Sequence, residues 1–160
     1  MLYFNIQWII IDMASRRKTI INNLVAAMKN IDGGTSSYNA NYTYNLNVFE
    51  NVFRKLKFVD EVNDHPSLYL NAGLDIRNYE SGGYVTSDLQ VIIRGYIKDD
   101  ESPVDMEENL IEDIEHILSN YSDSNNGVMQ ITVEDISTDE GLIAPFGIIE
   151  VGLSISYELK

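Results

Sequence analysis

From Phe146 to Leu159 the chain alternates between apolar and polar residues with a period of two. Ile149, Val151, Leu153, Ile155, Tyr157 and Leu159 fall on one side, and Glu150, Gly152, Ser154, Ser156 and Glu158 on the other. Only an extended strand places such a set on one face. The alternation marks it as half-buried, with one face on a core and one in water. A strand of this length requires a sheet, and it offers an edge along which another chain can pair.

The rest of the chain supplies that sheet and its cover. A first helix is predicted from about Ser15 to Asn30, with Ser15 as its N-cap. Ile20, Ile21, Leu24, Val25, Met28 and Ile31 step by three and four to give one apolar stripe, and Gly33-Gly34 stops it. Leu68 to Asn78 alternates, with Leu68, Leu70, Ala72, Leu74 and Ile76 on one face and Tyr69, Asn71, Asp75 and Arg77 on the other. Val85 to Asp99 repeats the pattern, and the two runs flank Ser81-Gly82-Gly83 as a hairpin. A second helix opens at Ser102-Pro103, carries acids in its first turn and buries Leu110, Ile111, Ile114, Ile117, Leu118 and Tyr121. A further strand covers about Val128 to Ser137, with Met129, Ile131 and Val133 sharing a face. The order is helix, hairpin, helix, strand pair. No helix alternates with single strands, so a parallel fold is excluded. The expected class is α+β: an antiparallel sheet of four or more strands with two helices packed on one face.

With 160 residues, 44 % of them hydrophobic, the chain suits one domain. Residues 1–13 read as an N-terminal extension or arm and residues 14–160 as the domain. Leu2 to Ile11 is too short to span a bilayer and lacks the basic start of a signal peptide. Met13 begins a second start-like run, so residues 1–12 are either an arm or edge strand that packs on a neighbour or the product of an upstream start codon.

The net charge is −14, from 25 acids against 11 bases. Phosphates would be repelled, which disfavours sequence-specific nucleic-acid binding, and an anionic membrane surface is disfavoured in the same way. No cysteine is present, which removes disulfides, thiolate metal ligands and Cys nucleophiles. No hydrolase, metalloprotease or phosphate-loop motif occurs, and neither His65 nor His116 sits in a catalytic pattern. The acids at 99–101 and along the second helix read as a solvated face rather than a metal site. Arg16-Arg17-Lys18 reads as the basic cluster of the chain, a helix start that pairs with acids on its own or a neighbouring subunit. No catalytic residue, metal or cofactor is expected.

Two segments are shaped for contact. Residues 35–50 mix Asn and Ser with Tyr38, Tyr42 and Tyr44. This is either a long polar loop with a short strand or a contact loop, in which tyrosines supply area and asparagines adaptable hydrogen bonds. Asn63, Asp64, His65 and Pro66 form a turn into the hairpin, with Pro66 holding His65 extended.

Three segments then carry a resemblance. They are Val62-Asn63-Asp64-His65-Pro66 through Gly73, Ile92-Ile93-Arg94-Gly95-Tyr96-Ile97-Lys98 with the acids and helix that follow, and Ser137-Thr138-Asp139-Glu140-Gly141 with Pro145-Phe146-Gly147 and the last strand. In this order they resemble the tail terminator family of phages with long, non-contractile tails, with a T5-like origin suggested. The resemblance spans roughly residues 14–159 and implies a structural virion protein rather than an enzyme. It implies a homohexameric ring on the head-proximal end of the tail, assembled in the host cytoplasm. The ring would end tail-tube polymerisation, touch the tail tube protein and the head–tail connector protein, and let DNA pass through its lumen. The alternatives are a connector or tube-like protein, a small carboxylate- or metal-dependent hydrolase, and a monomeric binding module.

Overall fold

A computed structural model describes residues 3–159, with side chains described from residue 16. Its elements are α1 (Tyr3–Met28), β1 (Val52–Phe53), β2 (Ser67–Tyr79), β3 (Val85–Lys98), α2 (Pro103–Asn120), β4 (Val128–Thr138) and β5 (Phe146–Leu159). They form an α+β domain with one five-stranded sheet in the order β1-β2-β3-β5-β4. All pairings are antiparallel except that of the short β1, which runs parallel to β2. The sheet is therefore mixed rather than wholly antiparallel. Helix α1 begins well before Ser15, which lies inside it rather than at its cap. No glycine or proline interrupts residues 3–28, so nothing local stops the helix there. The contacts expected of an arm at residues 1–12 lie outside the described residues.

Strand β5 keeps its alternation without fault. Ile149, Val151, Leu153, Ile155, Tyr157 and Leu159 are all buried. It is not an edge, however. It pairs with β3 from Phe146 to Leu159 and with β4 on its other side. A strand with one face in water and both edges paired has the same sequence pattern as an edge strand, because alternation reports faces and not edges. The exposed edges belong to β1 and β4.

Strand β2 departs from its sequence pattern in the middle. Ala72 pairs with Val91 but Asp75 pairs with Leu89, so β2 holds one extra residue there. Beyond this bulge the faces exchange. Leu74 and Ile76 are 59 % and 47 % exposed, while the Asp75 side chain is turned inward. Asp75 is satisfied there by the Ser87 hydroxyl, by Tyr157 Oη at 3.0 Å and by Arg77 at 3.1 Å. Bulges also interrupt β4 at Met129 and Glu134. The first turns Met129 out of the face it was expected to share with Ile131 and Val133.

The helices cover the inner face. Ile20, Ile21, Leu24, Met28 and Ile31 meet Leu110, Ile114 and Ile117 and the sheet residues in one core. Gly95 permits the close approach of α2, since a Cβ there would lie 2.8 Å from Leu110 Cδ2 and 2.7 Å from Ile149 Cγ1. Arg17 ties α1 to the β2 bulge by donating to Gly73 O at 2.8 Å and Ala72 O at 3.3 Å. On the opposite face of the sheet, residues 54–62 fold over Tyr69 and Tyr96 to form a small second core with Val62.

Candidate functional site

The tyrosine-rich loop is anchored by an acid that the sequence pattern placed in solvent. Residues 32–47 make a short antiparallel excursion, with bridges between Asp32 and Asn47 and between Thr35 and Thr43. Asp113 of α2, fully buried, reaches into it and accepts from Asn45 N at 3.0 Å, Leu46 N at 2.9 Å and Tyr42 Oη at 2.8 Å. Tyr42 also stacks on His116, with ring centres 3.8 Å apart and planes 7° from parallel. His116 Nε2 lies 2.8 Å from Ser36 Oγ, which accepts from Tyr44 Oη at 3.2 Å. Tyr44 is 3 % exposed and belongs to the core rather than to a surface. Tyr42 is half-buried in the same anchor, and Tyr38 is exposed. The acids of α2 are thus not all solvated, because Asp113 and Glu107 are buried.

The turn before β2 exposes Asn63 and Asp64 and half-buries His65 and Pro66. The His65 ring lies 5.6 Å from that of Phe146, and burial with nearby Lys98 lowers its proton affinity. The Pro66 carbonyl accepts from Asn51 Nδ2 at 3.2 Å. Beside this turn a groove of about 650 Å³ runs over the outer face of the sheet. Phe58, Val59 and Asp60 form one wall, and Ser137, Thr138 and Asp139 the other. Its floor holds Arg94 and Glu150, paired with Nε to Oε2 at 2.9 Å.

At the same end of the sheet the turn between β4 and β5 rests on a pair of carboxyl groups. Asp139 accepts from Ile148 N at 2.7 Å and Ile143 N at 3.1 Å. Glu107, 1 % exposed, meets Asp139 from α2. Burial and the shared hydrogen bond with Asp139 push Glu107 up to about 7. Asp139 is held low against its own partial burial by the hydrogen bond from Glu107 and by the Ile148 and Ile143 amides. Glu107 therefore keeps the proton and donates it to Asp139. No substrate-sized cavity opens onto the pair, whose role is to set the turn.

Basic side chains are distributed differently from the sequence expectation. Arg17 approaches Asp75 at 3.7 Å and Arg16 caps the Glu158 carbonyl, so the 16–18 cluster is largely used inside the subunit. A second basic run, Arg54-Lys55-Leu56-Lys57, lies in plain view in the sequence and escaped notice beside the first. Arg54 and Lys55 are exposed, with Phe53 and Phe58 at 37 % and 75 % exposure beside them. Among the described residues no group of His, Asp and Glu is arranged to hold a metal ion, and no helix is long and apolar enough to cross a membrane.

Known proteins show which use these surfaces serve. The family model described as "Bacteriophage Tail Tube Terminator Protein" matches residues 14–160. The chain belongs to this tail terminator family. A curated relative, the tail tube terminator protein p142 of Escherichia phage T5, is 26 % identical over 127 residues, covering 72 % of this chain and 79 % of that protein. Tail terminators are structural proteins, and in that setting the loop, groove and turn are surfaces for assembly rather than parts of an active site.

Proposed function

We propose that this tail terminator caps the tail tube as a closed ring of identical subunits, ends tube polymerisation and presents the surface to which the head attaches. The single observation that carries this reading is the family match over residues 14–160. Physical features support it. The outer face of the sheet carries Asp88, Asp135, Glu150 and Glu158, with Arg94 as a paired base. A ring with this face inward would have a lumen that repels DNA and lets it pass without sticking. Tyr38, Asn63 and Asp64 are exposed polar positions on loops held by buried anchors, which suits contacts to the tail tube and connector. The role is structural and needs no catalysis, and its place is the head-proximal end of the virion tail after assembly in the host cytoplasm.

Deleting the gene in its phage and measuring tails by electron microscopy tests the proposal. Tails of uncontrolled length are expected. Tails of normal length that fail to join heads would overturn the terminator role and favour a connector.

A further inference from the structure

The sheet carries two unlike exposed patches on opposite lateral edges. On the β1 side, Arg54 and Lys55 flank Phe53 and Phe58. Arg54 donates to Asn22 Oδ1 at 3.1 Å, and among the described residues no carboxylate lies within ion-pair distance of Arg54 or Lys55. The nearest acid in sequence that might compete, Glu61, is turned back onto the Phe58 amide at 3.0 Å. On the β4 side, Leu142 is 84 % exposed, with Val104 and Ile143 also exposed beside it. Gly141 packs against Val104, and Asp99 N donates to Pro145 O at 2.9 Å, so the start of α2 and the β4–β5 turn form one surface. Asp100, Glu101, Asp105 and Glu140 are exposed around it.

Both patches lie at the same end of the strands. Val52 pairs with Leu68 at the start of β2, Ser67 pairs with Tyr96, and Lys98 pairs with Phe146 at the start of β5. One patch is apolar with a basic rim, and the other is apolar with an acidic rim. Neither complements itself, so a two-fold contact would set like charges together, whereas a head-to-tail contact matches them at constant height.

Strand addition is the competing way to join copies. Both edges are blunted against it, β4 by its two bulges and β2 by its bulge and the Arg17 guanidinium on its carbonyls.

We infer that neighbouring copies in the ring meet through the Phe53–Phe58 segment of one and the Val104/Glu140–Ile143 surface of the next, apolar centre to apolar centre with basic rim on acidic rim. This rests on the ring reading above and names its partner as a second copy of the chain.

Two reversed variants of the full chain test it, Arg54→Glu/Lys55→Glu and Glu101→Lys/Glu140→Lys. Assembly is read by sedimentation velocity, and by electron microscopy on tubes purified from a phage lacking the terminator gene. Each variant alone should assemble roughly tenfold more weakly or worse. An equimolar mixture should recover rings, because the two then alternate with matched patches. The wild type itself should assemble more weakly as salt is raised, which gives an answer free of any folding defect. Rings that ignore the reversals and the salt, or a mixture that fails to recover, overturn this inference while leaving the ring intact. A wild type that forms no ring, free or on tubes, removes the ring reading and this inference together.

Discussion

Asp113 Oδ1 accepts the Tyr42 hydroxyl at 2.8 Å across 71 residues of chain, joining the tyrosine loop to the second helix. The same carboxylate accepts the Asn45 and Leu46 amides, so three groups lose their partner if it is removed. Burial raises the proton affinity of Asp113 despite these donors. Asp113→Ala should destabilise the fold by about 3 kcal/mol, because it leaves buried donors unsatisfied. Urea unfolding measures the loss, and hydrogen exchange should show amides 42–46 opening first. Asp113→Asn keeps an acceptor and should lose less.

Glu107 gives the stability a pH dependence of defined sign. Its folded value of about 7 lies above the ordinary 4.5. Its contribution is therefore complete below the unfolded value and is lost as pH rises through 7. Asp139 is shifted down and works the other way, with stability lost only as pH falls below the ordinary carboxylate range. Between pH 4.5 and 7 the Glu107 effect dominates the pair, at up to about 3 kcal/mol. Melting curves of wild type and Glu107→Gln across this window should differ in slope, with the variant flatter and the more stable of the two at pH 8. Parallel slopes would show that Glu107 does not hold the proton.

Gly95 sets how closely the second helix approaches the sheet. A Cβ would meet both Leu110 and Ile149 inside 3 Å. Both are fully buried and packed, so neither can swing aside. Gly95→Ala should cost about 1–3 kcal/mol, and Gly95→Val more. Thermal unfolding checks the order.

Period and caps made most of the fold legible. The alternation of β5, the stripe of α1 and the Ser102-Pro103 start of α2 all appear where the residues place them. What stayed hidden depends on partners distant in sequence. Nothing local tells that β5 is paired on both sides, or that Asp113 and Glu107 point inward among exposed neighbours. The tyrosine loop misled in part for the same reason. Tyr38 and Tyr44 look alike in sequence, but only the second meets Ser36 and the core. The basic run at 54–57 was legible and needed only to be weighed against exposed Phe53 and Phe58.

The β2 bulge makes the sharpest test of the fold itself, because two readings of one strand differ on a single residue. Unbroken alternation puts Leu74 on the same buried face as Leu70. The bulge instead exposes Leu74 at 59 % and leaves Leu70 fully buried. Leu70→Ala should cost about 2–5 kcal/mol, the usual result of emptying a core position. Leu74→Ser should change stability by about 0.5 kcal/mol or less, as surface substitutions do. Asp75→Ala supplies the converse, since a side chain drawn outward by unbroken alternation would be dispensable. Turned inward, it leaves Ser87, Tyr157 and Arg77 without their acceptor and should cost about 2–4 kcal/mol. A tolerated Asp75→Ala together with a damaging Leu74→Ser would place the register one residue away and return the acid to solvent.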